Sequence, residues 1–498
     1  MEFTAFSDKL ASLDAEIAKT EGFLDQLRKE RISLLHNYNI SHSPLLRLPT
    51  EVTTKIMLEC CQSDTNDDDD DDEPEMLDPL FLGSICPMWR DIAWETQNLW
   101  RTVNLTLSRN RYHNQVRLLN EWLPRAGEGP LHIRVMAKTS EQDWTEPPFP
   151  HEVLRTFASY SRLWARVTLF IPYACWMDIG LVSGNLPLLK SLSISFTDSL
   201  YHDNCVIGVF HDTPLLEELS LRDIFLKDFI SGCWNQLQHL TLKSYCADEC
   251  LEALRRTPNL ISLKFQDINP PDEFPIPYDE IIHLKCLDSA VFIFDIISKF
   301  AGDFLNCMAA PSLRQLDITL REDSEDIPFS SIRTLMSRCS SSLTHLRLEG
   351  TIDKSEDVIH CLRDAPLLRS LVLFFANEPE GVENQTIGLL GSALYSGDFL
   401  NELEQLIFTA HFDTIPSKFV RMLGNRWAVT QIRNDATADN NAKAFPPLSQ
   451  LRKAHIEAIF SSEVHLSEEA HVHLELLLND GMDICLRTPH GIIFPIQK

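Results

Sequence analysis

The chain has 498 residues, 72 of them acidic and 44 basic, for a formal net charge of −28; 44% are hydrophobic and 23% charged. That balance argues against a nucleic-acid footprint, which needs clustered cations to neutralise phosphates, and it disfavours an anionic membrane surface. No run of eighteen apolar residues exists, the N-terminus is charged rather than signal-like, and thirteen cysteines lie without framework spacing; the expectation is a soluble chain with reduced thiols in the cytoplasm or nucleus, built from two to four domains or one long repeat array.

Residues 8 to 38 carry a heptad. Leu10, Leu13, Ile17, Thr20, Leu24, Leu27, Arg31, Leu34 and Tyr38 alternate by three and four with charges between them, and Gly22 is the only helix-weakening residue inside. Thr20 and Arg31 lower the stability of a strict two-stranded seam. Two readings stay open: self-association through residues 8–38, and one amphipathic helix folded back on its own body.

Next comes Pro44-Leu45-Leu46-Arg47-Leu48-Pro49-Thr50-Glu51-Val52. Pro49 suits a helix start, Glu51 suits the positive end of the helix dipole, and Leu48, Val52 and Ile56 share one apolar stripe. After an acidic insert, Leu82, Ile85, Cys86, Trp89, Ile92 and Ala93 predict a second helix with Arg90 and Asp91 opposite, closing with Leu99-Trp100. Two short helices do not hide two broad stripes against each other, and leftover apolar surface points to a partner or a neighbouring domain. A plain helical hairpin, with Trp89 and Trp100 as core, is the alternative. The insert, Gln62 to Leu77, holds six consecutive aspartates from Asp67 to Asp72 and predicts a disordered loop.

In its Leu-Pro-x-Glu start, its Cys-x-x-Trp-Arg-x-Ile-Ala run and its closing Leu-Trp, the stretch 44–105 resembles an F-box, although that module is usually compact and uninterrupted. With its leading helix the chain resembles the F-box-like proteins expanded in mushroom-forming fungi. The resemblance implies docking to a Skp-type adaptor, and through it to a cullin-RING ubiquitin ligase. It also implies that Leu48, Pro49, Val52, Ile56, Leu82 and Ile85 contact the adaptor, while Trp89 and Trp100 hold the helices together.

Downstream the chain repeats a Leu-x-x-Leu-x-apolar unit, often led by proline, as in Pro187-Leu188-Leu189-Lys190-Ser191-Leu192-Ser193-Ile194 and Pro366-Leu367-Leu368-Arg369-Ser370-Leu371-Val372-Leu373. The middle leucines fall at 192, 219, 240, 263, 287, 316, 346, 371 and 406, the copy at Leu284 to Ser289 being weaker. Most intervals lie in or near the period of leucine-rich repeats, about 20–29 residues. Leu-x-Leu sets both leucines on one face of a short strand, and Ala247 to Arg256 and Glu356 to Arg363 have helical spacing between strands. The asparagine or cysteine usual in such repeats is absent: Thr197, Ile224, Tyr245, Ile268, Thr351 and Ala376 stand there. Unrelated buried strands of an α/β domain are the competing reading. Pro130 to Val135 and Trp164 to Leu169 predict strands that cap the start of the array. Ser467 to Leu478 predicts a helix ended by Gly481, followed by a strand at Ile484 to Leu486.

In such an array the leucines pack inward and the residues between them face the concave surface, among them Glu218, Ser220, Arg222, His239, Thr241, Lys243, Ser262, Lys264, Gln266, Gln315, Asp317, Thr319, His345, Arg347 and Glu349. Arg222, His239, Lys243, Lys264, Asp317, His345 and Arg347 are the candidate substrate contacts. Catalytic motifs are lacking: no phosphate-cradling Gly-x-x-x-x-Gly-Lys, no Gly-x-Ser-x-Gly and no His-Glu-x-x-His is present. Cys246 with Cys250, and His471 with His473, lack a second ligand pair, and Asp64 to Glu75 lacks the pattern of a calcium loop.

The sequence therefore predicts an α/β chain. An amphipathic or coiled-coil helix spans 1–43 and a helical F-box spans 44–105 with its acidic insert at about 62–77. A degenerate leucine-rich-repeat solenoid of strand-helix units covers 106–460, and a C-terminal helix and cap strand cover 461–498. The function the resemblance implies is a non-enzymatic substrate receptor of a Skp-cullin-F-box ligase with a protein substrate; the residues themselves give no sign of a cofactor, metal, nucleic acid or membrane. A scaffold acting without ubiquitination is the alternative, and an enzyme whose site assembles from distant residues is a weaker one.

Overall fold

The computed structural model describes residues 2–61, 77–137, 144, 147–182, 186–197, 210, 213–222, 234–271, 281–294, 300–321, 326–339, 342–375, 385–395, 399–410, 415, 417–436, 451–459, 468–488 and 491–494. Residues 62–76 of the acidic insert, Ile224, Ala376 and Ser467 lie outside them. The chain divides into two compact units, one made of 1–135 with 150–164, the other of 136–149 with 165–498. Residues 106–135 thus group with the helical N-terminal unit.

The first unit opens with α1 (Glu2–His42), a helix of 41 residues, and a 3-10 turn at Leu45–Arg47. Pro49 then leads α2 (Thr50–Cys61), its carbonyl accepting from the amides of Val52 and Thr53 at 3.1 Å. The single second helix expected from the stripe is instead two, α3 (Pro79–Ile85) and α4 (Pro87–Glu95). The cause is Pro87, which disfavours helical backbone at the residue before it. Cys86 is extended, at φ −158° and ψ 163°, and its Sγ accepts from the Trp89 amide at 3.4 Å as a cap. Asp78 caps α3 by accepting from the Phe81 amide at 2.6 Å. A 3-10 turn at Gln97–Trp100, β1 (Thr102–Leu107), α5 (Tyr112–Trp122), β2 (Leu131–Ala137) and α6 (His151–Ala158) follow, with β1 beside β2 and α5 packed on α6. Leu82, Ile92, Ala93, Leu99 and Trp100 fill the core under α2 to α4.

The second unit is a parallel sheet. Its strands are β3 (Trp164–Ile171), β4 (Ser191–Phe196), β5 (Glu218–Arg222), β6 (His239–Lys243), β7 (Ser262–Ile268), β8 (Ile282–His283), β9 (Ser289–Phe294), β10 (Met308–Ala309), β11 (Gln315–Leu320), β12 (His345–Gly350), β13 (Ser370–Phe375), β14 (Gln405–Ala410), β15 (Lys453–Ala458), β16 (Asp483–Thr488) and β17 (Gly491–Phe494). From β3 onward the strands lie in chain order, except that β8 and β10 pair with each other outside the main sheet; every neighbour is parallel until β17, which returns antiparallel. Helices fill the connections: a short α7 (Trp176–Ile179), then α8 (Ala247–Arg256), α9 (Ala301–Asn306), α10 (Phe329–Ser337), α11 (Ser355–Arg363), α12 (Gln385–Tyr395), α13 (Ser417–Ala436) and α14 (Glu468–Asn479). From α9 to α14 each packs on the next.

The repeat explains this order. Each Leu-x-x-Leu places its first leucine in a turn and its second in the strand, so Leu189, Leu216, Leu260 and Leu368 are buried beneath the strand starts. Register then stacks Leu192, Leu219, Leu240 and Leu263 side by side, and again Leu316, Leu346, Leu371 and Leu406. Between those two sets stands Ala290, not Leu287. The anchor of the weaker copy is therefore three residues later than the leucine pattern indicates, because Leu287 occupies the turn position. Where repeats of this kind carry asparagine, Tyr245, Ile268 and Thr351 are buried instead. Backbone bonds join the neighbouring loops there: the Asn269 amide donates to the Tyr245 carbonyl at 2.8 Å, and the Ile327 amide to the Thr351 carbonyl at 2.9 Å.

Candidate functional site

Two surfaces qualify, one in each unit. In the first, α2 turns Val52, Ile56 and Cys60 toward an open groove of about 640 Å³, rimmed by Glu51, Lys55 and Glu59. The inner side of the same helix buries Thr53, Met57 and Cys61, so α2 is apolar on two faces, and among the described residues of its unit only the inner one is covered. Of the residues expected at the adaptor, Pro49 and Val52 are exposed, Leu48 and Ile56 half-buried, and Ile85 is 54% exposed. Leu82 departs from that expectation. It is 1% exposed inside the helical core and cannot offer its side chain to a partner. The accessible apolar residue of that turn is Phe81, 53% exposed, which sequence reasoning passed over; its place three residues after the capping Asp78 is the signal that marks it.

Trp100 lies fully buried and donates through Nε1 to the Ala93 carbonyl at 2.8 Å. Trp89 is half-buried, and its indole nitrogen is sealed from solvent with no acceptor.

In the second unit the side chains between the leucines line the uncovered face of the sheet in register. One row runs Ser193, Ser220, Thr241, Lys264, Val291, Asp317, Arg347, Val372, Ile407, His455 and Cys485. Cations gather at its early end, where Arg222 pairs in register with Lys243 and Lys264 lies one strand on. Asp267 tempers them, at 3.9 Å from Lys243 Nζ and 2.6 Å from Arg321 Nη1. In the middle, Asp317 lies beside Arg347, and Arg347 donates to Glu349 at 2.8 Å. Burial pushes the Asp317 carboxyl above its ordinary range, while Arg347 and His345 pull the other way. His239 and His345 are exposed at the strand starts, Arg222, Lys243 and Lys264 half-buried.

The later strands turn apolar side chains outward: Val291 and Ile293 on β9, Val372 and Phe374 on β13, Ile407 on β14, each half-buried. An expectation built only on charged residues missed them. They are legible as strands without polar alternation, such as Ser-Ala-Val-Phe-Ile-Phe. Beside them a pocket of about 180 Å³ is lined by Ile407, Thr409, His455, Glu457, Cys485 and Arg487, with Arg487 Nε 3.3 Å from Cys485 Sγ.

The four metal-spaced residues serve local roles. Cys246 caps α8, and Cys250 is fully buried, which pushes its thiol well above the ordinary value and disfavours the thiolate a metal needs. His473 bonds the Glu469 carbonyl and His471 lies 3.6 Å from Glu475. Among the described residues no cluster of three or more metal-ligating side chains forms, and no helix is long and apolar enough to cross a membrane.

No family model matches the chain, and no curated protein matches it. Among solved structures, a crystal structure of a Bacteroides fragilis protein from a structural genomics programme covers 69% of this chain and 76% of its own, at 12% identity and a TM-score of 0.23. At that level the likeness carries no argument about fold or function.

Proposed function

We propose that the chain is a substrate receptor of a cullin-RING ubiquitin ligase, in which α2 to α4 form an F-box that docks a Skp-type adaptor and a degenerate leucine-rich-repeat array holds a protein substrate on its open sheet face. The observation that carries this reading is the second apolar face of α2. Val52, Ile56 and Cys60 lie over an open groove in a unit whose own core is already filled, and such a surface calls for a protein partner. The motif residues around it, from Leu48-Pro49 to Leu99-Trp100, are those of the F-box resemblance. The chain itself does no chemistry in this reading; it supplies proximity between the substrate and the ubiquitin-loaded enzyme.

The test is co-purification of the adaptor and cullin from a eukaryotic lysate with the full chain and with Val52→Glu plus Ile56→Glu. Deleting 44–105 would remove Trp100 and the core with it, so the point variants are the cleaner probe. Adaptor captured by the wild type and lost with the pair supports the receptor. Adaptor absent from both sinks it and leaves a non-catalytic scaffold.

A further inference from the structure

The seam of α1 is bare. Leu10, Leu13, Ile17, Leu24, Leu27 and Leu34 are each between 45% and 70% exposed, and the helix's chief neighbour is the turn Leu45–Arg47 that follows it. A helix of 41 residues reaches about 60 Å, and a heptad stripe along it loses its driving force if it stays in water. We propose that a second copy of this chain covers the seam, with the two α1 helices antiparallel and Leu24 of each facing Leu27 of the other.

The polar seam residues select this arrangement. A parallel, in-register pair would stack Arg31 on Arg31 and set Glu16 beside Glu21, like charge on like at both places. In the antiparallel register Thr20 faces Arg31 of the second copy and Ile17 faces Leu34, so the two polar positions meet each other. Glu21 and Arg28, which flank the seam, then pair across the interface twice. Sliding by one heptad in either direction sets Arg31 against Leu13 or Leu27 and seals a guanidinium against leucine. The groups are available for these contacts. Thr20 Oγ1 donates to its own Glu16 carbonyl at 2.7 Å and keeps its lone pairs for Arg31. Among the described residues Arg28 is held by Asp25 alone, at 3.4 Å, both side chains about two-thirds exposed. The overlap runs from Leu10 to Ser41, about 48 Å, and places the bodies that follow His42 at opposite ends.

Sedimentation equilibrium of the full chain at micromolar concentration tests this. The wild type should sediment at twice the chain mass, and Leu24→Glu with Leu27→Glu at the chain mass. Arg31→Glu should weaken the dimer about tenfold, because the disturbed contact occurs twice. Adding Thr20→Lys to it should restore most of the loss, since the introduced ammonium then faces the introduced carboxylate of the other copy. A monomeric wild type overturns the proposal, as does a dimer indifferent to the leucine pair. A double variant weaker than Arg31→Glu alone overturns the antiparallel register, because in a parallel pair both new charges meet their own kind.

Discussion

Trp122 donates through Nε1 to the backbone carbonyl of Trp100 at 2.8 Å, and the two rings meet edge to face with centroids 4.9 Å apart. Trp94 meets Trp100 from another side at 5.1 Å, and the Arg125 guanidinium lies 5.1 Å from the Trp100 ring. The closing Leu-Trp of the helical module is thereby tied to α5, so residues beyond 105 help to hold it. Trp100→Ala should destabilise the first unit by about 3–5 kcal/mol, the cost of a large aromatic cavity. Trp122→Phe, which keeps an aromatic ring but loses the donor and part of the indole's volume, should cost less, about 1–3 kcal/mol. Urea unfolding followed by near-UV circular dichroism checks both; equal effects would refute this ranking.

Asp267 sits where β7 loses register with β9, at φ +52°, and the bulge turns its carboxylate to Arg321 and Lys243. Asn tolerates that left-handed backbone, so Asp267→Asn isolates the charge and should cost about 1 kcal/mol. Asp267→Ala should cost about 1 kcal/mol more through backbone strain. In the Asp267→Asn background, Arg321→Ala should add little, and the coupling read from that cycle should shrink at high salt. An Arg321→Ala effect that is unchanged by the first substitution would show that the pair is not coupled.

Much of the parallel sheet could be read in advance because its signal is local and repeated. Leu192, Leu219, Leu240 and Leu263 each sit in a unit that names its own strand, and α8 falls at Ala247 to Arg256 as the spacing predicts. What escaped had a weaker or longer-range cause. β9 carries alanine at its anchor, so the leucine pattern locked on to the turn residue Leu287 instead. β15 does the same with Ala454, and the buried Leu451 three residues before it went unread. β1 has no repeat to announce it. In α3, periodicity showed that Leu82 is apolar on a helix but not which side of that helix the core takes; the packing of α3 on α4, where Gly83 lies against the Trp94 ring, settles that.

Asp317 should weaken the fold near neutral pH. Burial raises its folded-state pKa above the unfolded value, so the native state holds the proton longer and stability falls as pH rises through that window. Asp317→Asn should therefore stabilise the chain at pH 7, by on the order of 0.5 kcal/mol for a half-buried site, and the gain should vanish as pH drops through the carboxylate range. Arg347→Ala should enlarge the gain by removing the cation that opposes the shift. Unfolding midpoints of the variants from about pH 3 to 8, a span that takes in the carboxylate range, decide it. A gain that grows on acidification would contradict the sign.

Arg426 of α13 poses the reverse problem. It is 4% exposed and pairs with no carboxylate among the described residues; one terminal nitrogen donates to the Phe399 and Leu400 carbonyls, while Nε and Nη1 lack acceptors there. Burial alone lowers its pKa to about 10. Arg426→Gln keeps an amide donor for the two carbonyls and discards the unpaired charge, so stability should hold or rise by up to about 2 kcal/mol. Arg426→Leu discards the charge as well but strands both acceptors, and should fall below the Gln variant by about 1–3 kcal/mol. Leucine at or above glutamine in thermal and urea unfolding would mean that the carbonyls find water, and that the guanidinium is not needed to satisfy them.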